Sequence, residues 1–236
     1  MQITRPTGNR LLDLLDDDEF ARLSLVEVEL AFRQQIERAN MPIEAVYFPL
    51  TGMISVVAAS GAREIEVGLI GCEGMSGTAV TLGADQSPNE VYVQVEGFAF
   101  RMSADELRNA MKESPRLRGL FLLYSQVFAI QTAQTALSNG RSIIEERLAR
   151  WLLMAQDRLQ RSELPLTHEL LSIMLGVRRP GVTDALNGLE GVGLIKASRG
   201  RVKVIDRAGI EARANGCYGI PEAEYRRLIE VRVPAA

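Results

Sequence analysis

The run from Pro115 to Ser138 constrains this 236-residue chain more than any other stretch. Ser114-Pro115 opens a helix there, since proline fits a first turn where no N–H is needed, and Asn139-Gly140 closes it. At 1.5 Å per residue the helix is roughly 36 Å long. One stripe holds Leu117, Phe121, Tyr124, Phe128, Gln131, Thr135 and Ser138, alternating spacings of four and three. A second holds Leu120, Leu123, Val127, Ile130, Gln134 and Leu137. A heptad seam beside a second apolar face predicts a helix covered on two sides. The expectation is a dimer seam lined by Leu117, Phe121, Tyr124, Phe128, Gln131 and Thr135, with another part of the same chain on the other face. The competing reading is an ordinary core helix in a monomer.

Upstream of this helix the pattern is different. Asn9 to Leu30 reads as helical. From Glu44 to Met102 come short β-like runs, "AVYFPL", "GMISVVAAS", "REIEVGLI", "VYVQVEG" and "FAFRM", punctuated by Gly52, Gly61, Gly71, Gly83 and Gly97. Many short strands with glycine turns predict a small antiparallel barrel or jelly-roll-like sandwich. Ser103 with Glu106 three residues on forms a capping box, so a helix follows the last strand.

Downstream, Ser142 and Glu145 suggest another capping box before "RLARWLLMAQDRL". Thr167 can cap a short helix ending at Leu175, Gly176-Val177 makes a tight turn, and a second helix buries Val182, Ala185, Leu186 and Leu189. Two short helices joined by a glycine turn are a helix-turn-helix. "LIKAS" and "RVKVI" then flank Arg199-Gly200 as a hairpin, or wing, carrying Lys196, Arg199, Arg201 and Lys203. Within "LGVRRPGVTDAL", Pro180 belongs to the first turn of the second helix, and Gly181 removes bulk where another backbone could approach. That leaves Pro180, Thr183, Asp184 and Asn187 pointing outward, with Arg178 and Arg179 at the leading end. The N-terminal part of such a helix enters the major groove, where arginine grips guanine bidentately. Charge distribution agrees. Residues 1–140 carry 11 basic and 18 acidic side chains, whereas residues 141–217 carry 13 and 9. A basic module on an acidic body suits double-stranded DNA, although a solvated charged surface gives the same numbers.

The segment from Ser142 to Cys217 resembles the C-terminal domain of Crp/Fnr-type bacterial transcription regulators, most specifically through "LTHELLSIMLGVRRPGVTDALNGLEGVGLI". The preceding strands and long helix resemble that superfamily's sensor β-roll and dimerisation helix. The resemblance implies an α+β chain with four parts. These are an N-terminal helix and β-roll sensor over 1–113, a dimerisation helix over 114–140, a winged helix-turn-helix over 141–217, and a tail over 218–236. It implies a homodimer on a pseudo-palindromic operator, with RNA polymerase as a further partner if the protein activates. Thr167 and His168 match backbone-contacting positions and Arg179 matches a base-reading arginine. Pro180 and Asp184, however, stand where the family's cyclic-AMP receptor branch has a glutamate and a second arginine.

The sensor departs further. Cyclic-nucleotide-binding relatives use an arginine for the phosphate and a glutamate for the ribose. Here no Lys or Arg lies between Glu64 and Phe100, while Glu64, Glu66, Glu73, Asp85, Glu90 and Glu96 do. A cyclic phosphate would meet an acidic field without a cation. The expectation is a sensor unresponsive to cyclic nucleotides, with the effector unidentified. Enzyme chemistry has little to work with. His168 is the one histidine, and Cys72 and Cys217 are the two cysteines, too few for a catalytic triad, a His-based metal site or a four-thiolate cluster. No cofactor or metal is expected. The cysteine usage, the absence of a signal-like h-region and the absence of a spanning apolar run predict a cytoplasmic protein. The alternative function is a β-roll adaptor whose C-terminal domain docks protein, which the cationic wing argues against.

Overall fold

Strand propensity and glycine turns build the first half of the chain, described here from a computed structural model covering residues 5–61 and 63–231. Two short helices, α1 (Arg10–Asp13) and α2 (Asp17–Ala21), precede β1 (Val26–Leu30) and β2 (Gln35–Glu37). The continuous helix expected over Asn9–Leu30 is therefore broken. Asp16 starts a new capping box with Glu19, and Val26, Val28 and Leu30 alternate with glutamates in the period of a strand. Then come β3 (Ala45–Pro49), β4 (Met53–Ser60), β5 (Arg63–Ile70), the short α3 (Thr78–Thr81), β6 (Glu90–Val95) and β7 (Gly97–Ser103). They form two antiparallel sheets, β1-β7-β3 and β2-β6-β4-β5, enclosing Leu30, Ile54, Ile70, Val91, Val93 and Ala99. This is the expected β-roll.

Helix α4 (Ala104–Glu113) carries the Ser103–Glu106 capping box, and Ser114 caps α5 (Pro115–Arg141) by accepting from the Leu117 amide at 3.1 Å. The stripe expected to face a second copy is instead enclosed by the chain itself. Leu117, Phe121, Tyr124, Gln131 and Thr135 are buried and Phe128 is half-buried. Phe121 meets Phe48 with ring centroids 5.9 Å apart. The Phe128 ring would lie 2.5 Å from a Cβ on Gly68, and the Tyr124 hydroxyl 2.0 Å from one on Gly74. Gln131 accepts from the Leu69 amide at 2.7 Å and donates to its carbonyl at 3.1 Å. Arg150 donates to Thr135 at 3.1 Å. Large rings need recesses, and the roll supplies them at its glycines. The face left open on α5 is a different heptad: Leu122 is half-buried, and Gln126, Ala129, Ala133, Ala136 and Gly140 are exposed.

Helix α6 (Ile144–Leu159) starts one residue later than expected, because the Glu146 carboxylate takes the Ile143 amide. Beyond it lie β8 (Glu163–Leu164), α7 (His168–Leu175), α8 (Arg179–Gly191), β9 (Ile195–Ser198), β10 (Arg201–Val204) and α9 (Arg207–Arg213). One apolar cluster joins Trp151, Leu152, Leu171, Leu186 and Ile210 to Met53, Leu69 and Val95 of the roll. The C-terminal segment is not a free tail. Helix α10 (Ile220–Tyr225) and a π-helical turn over Arg226–Glu230 lie along α5, burying Tyr225, Leu228 and Ile229 in the cluster that holds α1, α4 and α5.

Ile229→Ala, at a fully buried position, should therefore destabilise the whole N-terminal half by about 2–5 kcal/mol. Urea unfolding measures this, and a change within a few tenths would mean that the tail contributes nothing.

Candidate nucleic-acid interface

The C-terminal reading unit is built from local rules. The Thr167 hydroxyl accepts from the Leu170 amide at 3.1 Å, which starts α7. Gly176 ends it in the left-handed region with φ of 60°, and the half-buried Arg147 guanidinium donates to the Leu175 carbonyl at the same end. Pro180 lies in the first turn of α8. Val182, Ala185, Leu186 and Leu189 face inward, while Arg178, Arg179, Pro180, Asp184 and Asn187 are exposed and Thr183 is half-buried. Gly181 answers to the interior: a Cβ there would lie 3.2 Å from Ile144 of α6. Gly188 likewise sits 2.8 Å (at its Cβ position) from the Glu145 carboxylate. These two glycines let α8 lie close on α6.

The wing is a three-stranded sheet in the order β8-β10-β9, one strand more than the expected hairpin. Arg199, Arg201 and Lys203 are exposed on it, as is Lys196. Thr167 and His168 are exposed at the start of α7, and His168 Nδ1 lies 3.2 Å from the Thr183 hydroxyl, tying the two helices together. The arginines are less free than their sequence suggests. Arg179 pairs with Glu169 at 3.2 Å, Glu169 also meets Arg33 of the roll at 3.5 Å, and Arg201 pairs with Glu163 at 2.7 Å. All of these side chains are at least half exposed, so each pair is worth about 0.2–1 kcal/mol and yields to a phosphate or a base. Arg178 has no ion-pair partner among the described residues.

The roll offers no matching anion site in its turn. The Gly77 amide, an available phosphate donor by its position, donates to the buried Glu37 carboxylate at 2.7 Å. The Ser76 hydroxyl accepts from Tyr47 at 3.0 Å, and Phe128 occupies the space over Gly68. Cys72 is buried, and burial pushes its thiol pKa up, so it stays protonated. Among the described residues no group of three or more His, Cys, Asp or Glu is placed to hold a metal, and no helix is long and apolar enough to cross a membrane.

Sequence reasoning did not find the polar contact joining the two halves. Glu66 of β5 is fully enclosed, accepting from Ser55 Oγ at 2.6 Å and from Trp151 Nε1 of α6 at 2.6 Å. Its pattern in "REIEVGLI" matches any outward-facing strand residue, and only the fold shows that α6 covers it.

The turn at Gly176, the helix that follows it and the three-stranded wing make the C-terminal module a winged helix-turn-helix. Residues 146–213 match the Crp-like helix-turn-helix domain. No curated protein matches the chain. Among solved structures, a regulator assigned to the Crp/Fnr family from Eubacterium rectale is 18% identical, over 86% of this chain and 96% of that one, with a TM-score of 0.68. FixK2 from Bradyrhizobium japonicum is 17% identical over 80% and 97%, with a TM-score of 0.67. The c-di-GMP-responsive global regulator CLP of Xanthomonas campestris is 17% identical over 80% and 99%, with a TM-score of 0.66. At such identities the structures establish the shared fold, and the matched domain adds its class. Residues 146–213 thus belong to the Crp-like helix-turn-helix class, and the chain as a whole shares the fold of these regulators.

Burial raises the Glu66 pKa from 4.5 to about 7, against the lowering effects of Ser55, Trp151, Arg158 and Arg150. The folded chain thus keeps a proton that the unfolded chain has lost. The resulting stabilisation is full below 4.5 and fades as pH rises through about 7, at up to ~1.4 kcal/mol per pH unit. Trp151 is the one tryptophan, so its fluorescence should titrate near pH 7 in the wild type and not in Glu66→Gln, whose urea stability should also lose this slope. A wild-type signal flat between pH 5 and 8 would contradict the assignment.

Proposed function

We propose that the protein acts as a homodimer on a pseudo-palindromic operator in the cytoplasm, with a sensor that does not use cyclic nucleotides. The observation carrying this reading is the exposed end of α8, where Arg178, Arg179, Pro180, Asp184 and Asn187 stand beside a cationic wing. Two such helices enter successive major grooves about one turn apart, ~34 Å. Arg179 reads guanine, Arg178 reaches a base or a neighbouring phosphate, and Asp184 accepts from a cytosine amino group. Thr183 and Asn187 line the same face, and Thr167 and His168 meet the backbone. Arg199, Arg201 and Lys203 act on phosphates, which adds affinity without sequence preference. RNA polymerase becomes a partner where the bound protein activates.

The sensor reading rests on Glu37 at the Gly77 amide and on the lack of a cation from Glu64 to Phe100. A cyclic phosphate would have to displace one carboxylate and bind among others.

Competition binding on a randomised operator library at two salt concentrations tests the DNA roles. Arg179→Ala should cost about 1–3 kcal/mol on the cognate site and flatten preference at one position per half-site. Arg201→Ala should weaken all sequences alike and reduce the salt slope by roughly one. An unchanged preference in Arg179→Ala would overturn the recognition-helix assignment.

The dimer uses the open face of α5. Leu122, Gln126, Ala129, Ala133, Ala136 and Gly140 alternate spacings of four and three, with Leu137, 56% exposed, alongside. Small residues let two helix axes approach closely, and an apolar strip this long gains from being covered. Sizing with light scattering should give twice 26.0 kDa. Ala133→Asp should split the dimer by placing two unpaired charges face to face, without unfolding the protomer. A wild type that stays monomeric at micromolar concentration would refute the seam.

A further inference from the structure

One buried acid at the contact between the roll and the C-terminal module takes no part in the proposed reading of DNA. Glu66 of β5 is 4% exposed and lies under α6, where Trp151 Nε1 donates to its Oε1 at 2.6 Å. Ser55 Oγ of β4 lies 2.6 Å from Glu66 Oε2 and 3.8 Å from Met174 Sδ of α7. A serine hydroxyl has one hydrogen, so it serves only one of these two acceptors at a time. Which one it serves depends on the proton of Glu66. Ionised, the carboxylate takes the Ser55 hydrogen, and Met174 is left without it. Protonated, Glu66 Oε2 donates to Ser55, and Ser55 turns its own hydrogen to Met174. Only the protonated acid completes a chain of bonds from the roll to α7 while still accepting from Trp151.

The surroundings hold that proton in place. Arg158 and Arg150 of α6 are the cations that act on Glu66, but Arg158 pairs with Glu73 at 3.0 Å and Arg150 donates to Thr135 at 3.1 Å. Arg147, also of α6, is turned to the Leu175 carbonyl. Tyr92 of β6 stays neutral, its phenol pKa pushed up to about 12 by burial first and by Glu66 next. Glu64, two residues back on the same face of β5, is exposed and of like charge. Helices α5 and α7 line the space beside Glu66 with Thr135, Ser138, Asn139, Met174 and Leu175, none of them charged. That space is about 10 Å³, room for about one water and not for the shell of an ionised carboxylate. The chain joins the C-terminal module to the rest at two places, and both suit a hinge. Ser142 and Ile143 are extended between α5 and α6, and Gly216 and Gly219 take φ of 78° and 107° ahead of α10.

We propose that Glu66 is a proton-operated latch: protonated, it holds α6 and α7 on the roll, and ionised, it lets the module swing away about the two hinges. An opened interface returns the carboxylate to water and to its ordinary pKa of 4.5, whereas burial in the closed one raises it to about 7. The proton's contribution to closure is therefore complete below 4.5, and it is lost as pH rises to about 7. Over that window the closing equilibrium falls by up to about tenfold per pH unit. Closure also ties Glu169, and through it Arg179, to Arg33 of the roll. Opening removes the tie, so the open form is the one that takes DNA. This last consequence rests on the proposed function, whereas the latch itself is read without DNA.

Trp151 is the one tryptophan, so its indole N–H gives a single nuclear magnetic resonance signal. That hydrogen exchanges with solvent only when its bond to Glu66 opens. Exchange is followed at pH 5.5 and 7.5 in the full-length wild type and in Glu66→Gln, whose amide accepts from Trp151 and donates to Ser55 as the protonated acid does. The wild-type rate divided by the Glu66→Gln rate should rise about tenfold or more between the two pH values. At pH 7.5 the wild-type indole, scaled to its rate in an unstructured peptide, should also outpace the Ile54 amide inside the roll by about tenfold or more. A flat ratio, or an indole no faster than Ile54, would overturn the latch, the second because the interface would then open only on unfolding. Should Glu66→Gln fail to fold, the scaled wild-type indole rate decides alone, since it should show the same rise. For DNA, the probe is the tightest duplex selected from the randomised library. Wild-type affinity divided by Glu66→Gln affinity should rise about threefold or more from pH 5.5 to 7.5, a ratio that cancels every titration the two proteins share. A rising indole ratio beside a flat affinity ratio would overturn the DNA consequence and support the latch.

Discussion

Everything else in the molecule is arranged around the lie of α5 on the roll. Glycine makes that contact possible: Gly68 and Gly74 leave the space into which Phe128 and Tyr124 fit. Gln131 completes it, bonding both backbone groups of Leu69 as a neighbouring strand would. A side chain at either glycine would lift the helix, and with it the surface on which the C-terminal segment rests. The same contact uses up the aromatic side of α5, so only the alanine-rich side is left to face outward.

The two halves of the chain then communicate through a few buried polar groups rather than through a flexible linker. Trp151 of α6 donates to Glu66 of β5, and Arg158 near the end of α6 bonds the Leu69 carbonyl at 3.2 Å while pairing with Glu73. Both carboxylates belong to the roll, and both partners belong to the helix that carries the reading unit. Helix α7 also packs on β5, where Ile65 comes within 2.9 Å of a Cβ position on Gly176. A rotation of the reading unit away from the roll would strip these partners from the buried Glu66, Glu73 and Arg158 side chains. Such losses are costly, so the arrangement resists small displacements and favours discrete ones.

Much of this was legible in the sequence where local chemistry decides. Caps at Ser103, Ser114 and Thr167, the turn at Gly176, Pro180 in a first turn and the glycine-punctuated strands all follow from near-neighbour rules. The face of α5 did not, because periodicity shows that two stripes exist but not what covers each. The larger stripe looked like the stronger seam, yet large rings are best accommodated by the chain's own sheet, and small residues suit contact between two helices. Val26 to Leu30 was missed as a strand because it follows helical residues and alternates over only five positions. The C-terminal segment was missed for a different reason. Tyr225, Leu228 and Ile229 form a short apolar patch whose partner lies about 100 residues earlier in the chain, and nothing local announces such a pairing.

The remaining question is why Arg179, in the base-reading role proposed for it, should be paired at all. Glu169 lies between Arg179 of α8 and Arg33 of the roll, so one carboxylate restrains the arginine proposed to read a base and also touches the roll. Because all three side chains are well exposed, the restraint is weak, and a guanine edge offers Arg179 two bonds for the one it gives up. In the proposed complex Glu169 would then meet the phosphate backbone without its cation and be repelled by it. Its weak hold on Arg179 would therefore be lost on the proposed operator, while on random sequence, where no guanine replaces it, the carboxylate would oppose binding. In that role the pair would work toward discrimination rather than affinity, and Asp184 on the exposed face of α8 would act in the same sense.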